Sequence, residues 1–272
     1  MATVTEPRTM KTVVITGSAS GMGAAVRQRM LADGCRVIGI DLRDADILAD
    51  LSSPQGRAAA IDAVLSRSGG RIDQLVCCAG LGPHVEPATL VASVNYFGVV
   101  ALLDGLFEAL RQGSDPCAVV VSSSSATLQS WEGSPLRDAY LAGDEPGVRA
   151  MVAAAAAAEA TRDQAGYIAY ASSKHAVAAA ARQRAAAWGQ AGVRLNVVAP
   201  GAVETPLLQA GRKDPRYGDA IRDFLPPLGR RAQPEEVAAL IAFLCGPQAA
   251  YIHGNVVFID GGLDAAQRPL NF

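Results

Sequence analysis

A chain of 272 residues, half of them hydrophobic, with 24 basic against 26 acidic side chains and a net charge of −2, can bury one extensive core and carries no electrostatic footprint for nucleic acid or an anionic membrane. No segment reaches the ~18 uninterrupted apolar residues of a spanning helix. Five cysteines (35, 77, 78, 117 and 245) and three scattered histidines (His84, His175 and His253) lack CxxC or zinc-ligand spacing, which argues against a metal site and fits a reducing cytoplasm.

Met1–Arg8 is polar and lacks the apolar stretch of a signal peptide, so the chain is expected to be cytoplasmic. The first β-branched run, Thr12–Thr16, reads as a strand and leads into Gly17-Ser-Ala-Ser-Gly21-Met-Gly23, with an amphipathic helix from about Met22. Glycines between a strand and a helix let the backbone bend sharply and approach a pyrophosphate, whose charge meets the free N–H groups of the helix start. A tight turn uses the same residues, but the strand–turn–helix context favours the phosphate reading. A serine-hydrolase elbow is disfavoured, because Ala19 stands where G-x-S-x-G would place its nucleophile.

The second run, Arg36–Ile40, ends in Asp41. A carboxylate there accepts hydrogen bonds from both ribose hydroxyls and repels a 2′-phosphate, so NAD is expected over NADP, with Arg43 as the counterargument. Asp50, after the short apolar stretch 47–49, could meet the adenine amino group or be an exposed turn acid. Gln74–Cys78 and Ala118–Ser122 read as further strands. Cys77 and Cys78, adjacent on a strand, point to opposite faces and read as core residues.

Residues 131–166 break the alternation and contain Ala153–Ala158, of high helix propensity, so a helical insertion is predicted. Then comes Tyr170-Ala-Ser-Ser-Lys174, which on a helix puts a phenol and an ammonium one turn apart on one face. Holding a tyrosine as phenolate near neutrality takes about 3–4 kcal/mol of differential stabilisation, and a lysine charge contributes in that direction. Such a pair can also be mere neighbours on a solvated helix. Yet the chain has 21 arginines and three lysines, so Lys174 runs against its habit. Val193–Val198 and Val256–Ile259 read as the last strands. Between them, 205–231 is rich in Pro, Gly and Arg without clear periodicity, and reads as a lid or substrate loop. Arg268–Phe272 is either a loose tail or a subunit contact. The alternation of β and α, with strands apolar on both faces, predicts an α/β fold of one domain over 1–272: a doubly wound parallel sheet with right-handed crossovers.

The ordered set TGxxxGxG at 16–23, Ala79-Gly80, Asn95 in Val-Asn-Tyr-Phe-Gly, the serines 122–125, YxxxK, Pro200-Gly201 and Asp260-Gly-Gly262 resembles the short-chain dehydrogenase/reductase family from Lys11 to Gly262. Several further stretches, among them Gly39–Ala45, Ser93–Gly98 and Glu204–Gly211, resemble its bacterial hydroxysteroid dehydrogenase/carbonyl reductase branch. The resemblance implies a Rossmann-type sheet of about seven strands and reversible, metal-free hydride transfer between NAD and a secondary alcohol or ketone. Tyr170 would be the general acid/base, Lys174 its electrostatic partner and a ribose ligand, and Asn95 the holder of a relay water. Ser123 best matches the serine that steadies the substrate oxygen, although a one-residue slip would move that role to a neighbour.

The resemblance further assigns the cofactor to Gly17, Ser20, Gly21, Met22, Gly23, Asp41, Leu42, Asp50 and Leu51 at one end. Ala79, Gly80, Tyr170, Lys174, Pro200, Gly201, Val203 and Thr205 take the other. The substrate would meet Ser123, Tyr170, Pro206 and Leu207. Leu208, Phe224–Leu228 and Leu81–Pro83 could give apolar cover or could equally be ordinary core or loop packing. Cys77-Cys78 replaces the family's common Asn-Asn, which leaves the detail of that turn open. The steroid-type relatives also carry the long interval before Tyr170, where it changes subunit association; a homo-oligomer, most simply a dimer, is expected. A non-steroid cyclic alcohol, dihydrodiol or aromatic ketone would suit a similar pocket. A reading of another class is a catalytically silent NAD-sensing or scaffold protein.

Overall fold

The computed structural model describes residues 10–271, so the leader-free reading of Met1–Arg8 lies outside the described residues. In chain order the elements are β1 (Thr12–Thr16), α1 (Gly21–Ala32), β2 (Arg36–Asp41), β3 (Ile47–Leu48), α2 (Pro54–Ser68) and β4 (Gln74–Cys77). Next, α3 (Thr89–Ala92) runs through a π-helical stretch (Ser93–Gly98) into α4 (Val99–Gly105), α5 (Phe107–Arg111) and β5 (Cys117–Val121). The second half holds α6 (Pro135–Leu141), α7 (Glu145–Ala157), α8 (Ala165–Gln190), β6 (Arg194–Pro200), α9 (Pro206–Gly211), α10 (Gly218–Asp223), α11 (Pro234–Cys245), β7 (Val256–Ile259) and α12 (Leu263–Gln267).

Among the described residues the strands form one seven-stranded parallel sheet in the order β3-β2-β1-β4-β5-β6-β7. From β1 the chain winds outward to β3, then returns to the other side of β1 with β4. The carboxyl ends of β1 and β4, where Thr16 pairs with Cys77, therefore flank the switch point at which such sheets bind ligands. The one strand beyond the six read from sequence is β3, Ile47–Leu48, two residues long and too short to show a pattern.

Alternation along each strand divides the core between the two faces. Val13, Ile15, Val76, Val119 and Val198 pack with Val26, Val237 and Ile241 of α1 and α11. Val14, Leu75, Cys77 and Val120 pack with Val64, Leu103 and Val177 of α2, α4 and α8. Each such fully buried aliphatic side chain contributes about 1.5–3 kcal/mol. The alternation also sends Cys77 and Cys78 to opposite faces, as expected.

The insertion is helical because its signals are local: Ser134 and Asp144 accept from Arg137 N and Gly147 N, and Pro135 and Pro146 occupy first turns. Both α6 and α7 pack against α8, with Tyr140 seated 4.9 Å from the Tyr96 ring. The 205–231 stretch was expected to be irregular, yet it forms α9, capped by Thr205 Oγ1 on Leu208 N, and α10. Its later part leaves the site: Pro226 is buried against Gly261, while Leu225 and Leu228 are 51% and 72% exposed. Pro226, Pro227 and Leu228 pack along the Gly261-Gly262 turn, the loop-packing alternative for those residues.

Candidate active site

A cleft of about 670 Å³ opens at the switch point. Its base is the glycine turn. Gly17 has φ +66°, and a Cβ on Gly23 would stand 2.0 Å from Gly17 O, so both positions need glycine. The Ser20 hydroxyl caps none of the first-turn N–H groups of α1, and Gly21, Met22 and Gly23 line the cleft with those donors at hand for an anion. Asp41, at the end of β2, accepts from Ala19 N at 3.0 Å and Leu42 N at 2.7 Å. Its carboxylate thus sits over the same turn. Leu42, Arg43, Asp50, Leu51 and Ser52 continue that side; Asp50 also caps Ser52 N at 2.9 Å, so it is both a turn acid and a cleft residue. Ala79 and Gly80 form the opposite side, held by Ala79 N donating to Thr16 Oγ1 at 3.0 Å.

These features fit a dinucleotide: uncapped helix N–H donors and a turn without room for Cβ atoms suit the pyrophosphate, and an acid at the second strand suits a ribose. Among the described residues, no group of three His, Cys, Asp or Glu side chains could hold a metal ion, and no helix is long and apolar enough to cross a membrane.

Beyond Met22, Thr205 and Leu207 lies a second cavity of about 200 Å³, and these three residues line both spaces. Ser122, Ser123, Tyr170, Pro200, Gly201 and Val203 line it. Among the four serines the geometry favours Ser123. Ser122 Oγ donates to Lys174 O at 2.6 Å, Ser124 and Ser125 do not line the cavity, and Ser123 lines it together with Tyr170. Ser123 Oγ also accepts from Ser125 N at 3.2 Å, which fixes its rotamer.

Lys174 and Asn95 line neither space directly. Lys174 Nζ donates to Val121 O at 2.9 Å, and Asn95 clamps the Leu81 backbone, accepting from Leu81 N at 2.8 Å and donating to Leu81 O at 3.0 Å. Both border Gly80: a Cβ there would be 3.3 Å from Asn95 Oδ1 and 3.3 Å from Lys174 Nζ.

The electrostatics bear on the Tyr170–Lys174 pair. Burial pushes the Tyr170 phenol above its ordinary value, with the Ser123 hydrogen bond opposing, and the Lys174 ammonium stands 6.0 Å from the ring centroid. Lys174 is itself pushed down to about 8 by burial. In the protein alone, then, the phenol keeps its proton at neutrality. Burial also pushes the Cys78 thiol up to about 12, consistent with an unreactive packing residue.

Pro206, expected at the substrate, lines the cleft rather than the cavity, because it occupies the first turn of α9, beside Gly21. Missed in the sequence were Gly211 and Ile221 in the cavity, brought there by α9 and α10, and His84. The His84 ring packs over Gly82 and Gly211, and burial holds its pKa below the ordinary value. Its position in the loop after β4, at the carboxyl edge of the sheet, was the available signal.

The sequence model described as enoyl-(acyl carrier protein) reductase matches residues 141–264. The chain is 51% identical to a 3-alpha-hydroxysteroid dehydrogenase/carbonyl reductase of Comamonas testosteroni, over 97% of this chain and all of that one. It is 32% identical to a coniferyl-alcohol dehydrogenase of a Pseudomonas species, over 94% and 97% of the two chains. The crystal structure of the 3-alpha-hydroxysteroid dehydrogenase from Pseudomonas sp. B-0831, complexed with NADH, superimposes with a TM-score of 0.90 at 53% identity, covering 96% of this chain and 100% of that one. At this identity over nearly the whole chain, and with the same fold as a solved 3-alpha-hydroxysteroid dehydrogenase, the protein belongs to the short-chain dehydrogenase/reductase family.

Proposed function

We propose that the protein is an NAD(H)-dependent oxidoreductase interconverting a secondary alcohol and a ketone, with hydroxysteroids or similar apolar carbonyl compounds as substrates. The observation that carries this reading is the Ser123–Tyr170 pair facing an apolar cavity that shares a wall with the dinucleotide cleft. Its relatives in Comamonas and Pseudomonas support the substrate class. NAD(H), held by the glycine turn, Asp41 and the Ala79-Gly80 side, would accept or deliver the hydride.

In this reading Ser123 donates to the substrate oxygen and Tyr170 exchanges its proton. The raised phenol is already in the form that donates in ketone reduction. Alcohol oxidation needs the phenolate, so it draws on positive charge beyond the distant ammonium of Lys174. Lys174 and Asn95 border the space beside Gly80, through which a relay water would pass the proton onward. Pro200, Gly201 and Val203 shape the region where cleft and cavity meet, and Thr205 and Leu207 close it.

A second reading rests on size. About 200 Å³ is below the roughly 300–1,000 Å³ of pockets that bury a drug-sized ligand, so a monocyclic or aromatic alcohol fits the cavity more fully than a four-ring steroid. NADH absorbance followed across steroids, monocyclic alcohols and aromatic ketones separates the two. Tyr170→Phe is expected to lower turnover about 10²–10⁴-fold while retaining NADH binding. Undiminished turnover would reject the assignment, and a wild type that binds NADH but turns over none of the panel would favour a silent NAD-binding role. We further place the protein in the cytoplasm, consistent with cysteines that lack CxxC spacing, as one catalytic unit that forms a homodimer.

A further inference from the structure

We propose that Arg57 and Glu145 are a positioning pair through which the 131–166 insertion holds the adenine side of the cleft in its binding shape; this rests on reading the cleft as the NAD site. Arg57 projects from α2 and is 6% exposed. Its guanidinium donates to Leu51 O at 2.8 Å, Ser52 O at 3.0 Å and Ser93 O at 3.3 Å. Leu51 and Ser52 line the cleft next to Asp50, and Ser93 opens the π-helical stretch that carries Asn95. One buried cation thus ties the cleft wall to the segment that clamps Leu81.

The charge is met from the insertion. Glu145, the first residue of α7, grips Arg57 in a fork, Oε2 to Nη1 and Oε1 to Nη2, each at 2.7 Å. Arg149, one turn further on, donates to Ser93 Oγ at 2.9 Å. Although burial pushes the Glu145 carboxyl up, hydrogen bonds from Arg57 and Ser93 and the charges of Arg57 and Arg149 hold it below its ordinary value. A planar guanidinium that satisfies three carbonyls and a carboxylate at once fixes their mutual geometry. Removing the carboxylate leaves a buried charge uncompensated, and the least costly relief is for the guanidinium to turn toward solvent, releasing Leu51 and Ser52. The insertion therefore has a task within its own subunit, at a distance from the reacting atoms.

Glu145→Gln keeps the shape and loses the charge. AMP, which occupies only the adenine end, is expected to bind about tenfold more weakly, and KM for NAD⁺ to rise similarly, with kcat at saturating NAD⁺ within about twofold of wild type. Amide exchange at residues 50–53 should quicken at matched distance from Tm. The double variant Arg57→Met/Glu145→Leu removes both charges: it should regain thermal stability yet keep the weak AMP binding, because the carbonyls still lack their donor. Unchanged AMP and NAD⁺ affinities in Glu145→Gln, or wild-type AMP affinity in the double variant, would overturn the proposal. If the single variant does not fold, the stable double variant decides by the same AMP measurement. Failure of the wild type to bind NADH or AMP would instead remove the cofactor reading.

Discussion

Lys174 is 5% exposed and donates to one backbone carbonyl, so its charge is held in the interior at a cost to stability. With its pKa pushed down to about 8 by burial, the folded protein releases this proton between about pH 8 and 10.4, while the unfolded chain still holds it. Stability therefore rises with pH across that window, and below it the burial cost is present in full. Lys174→Met should abolish most turnover yet raise stability at pH 7 by an amount on the order of 1–3 kcal/mol, a gain that shrinks as pH climbs from 8 to 10. Melting curves at three pH values check this; a lower Tm at pH 7 would show that the bond to Val121 O outweighs the burial. Asp41 is the residue proposed to set cofactor choice. Asp41→Ala removes the carboxylate from the turn and leaves Arg43 on the same side of the cleft, so the preference for NAD⁺ over NADP⁺ in kcat/KM should fall by about tenfold or more. An unchanged ratio would count against the ribose contact. The positions of Tyr170, Lys174 and Asp41 were readable because each is set by local spacing, strand end or helix turn. Their protonation was not, because burial depends on what the rest of the chain packs around them. His84 escaped notice for the same reason: only the fold brings that loop residue into a cavity with Ser123 and Tyr170.

The junction of β1 and α1 tolerates little change. A methyl group on Gly23 would meet a backbone oxygen, Gly17 O, which cannot move without breaking the turn. Gly23→Ala should therefore cost about 1–3 kcal/mol of stability and most of the NADH affinity, read by melting and by fluorescence titration. If affinity persists, the turn is not the phosphate cradle. Six strand runs were legible within a residue or two of their ends, because parallel strands buried on both faces are continuous apolar runs. The insertion was legible as helical from its alanines, and its division at Gly143-Asp144 follows from a cap and a proline. By contrast β3, with two residues, and α9 and α10, with six each, fall short of a full period or show less than two turns, so no pattern could reveal them.

At the scale of the molecule, β-α alternation was enough to give a doubly wound parallel sheet, and the switch point then located the site. Association was not legible from pattern, since it depends on which surfaces remain open. Here α6 and α7 cover part of α8, so the proposed dimer would form elsewhere on the surface. Light scattering at about micromolar concentration should return twice the chain mass of 28.0 kDa, and a monomer would refute it. The wall of Met22, Thr205 and Leu207 common to cleft and cavity has a kinetic corollary. A nucleotide in the cleft would then lie against the residues that bound the cavity, so the alcohol or ketone is expected to bind more tightly once the nucleotide is in place. Product-inhibition patterns check this: an ordered sequence, nucleotide first on and last off, is the expected outcome.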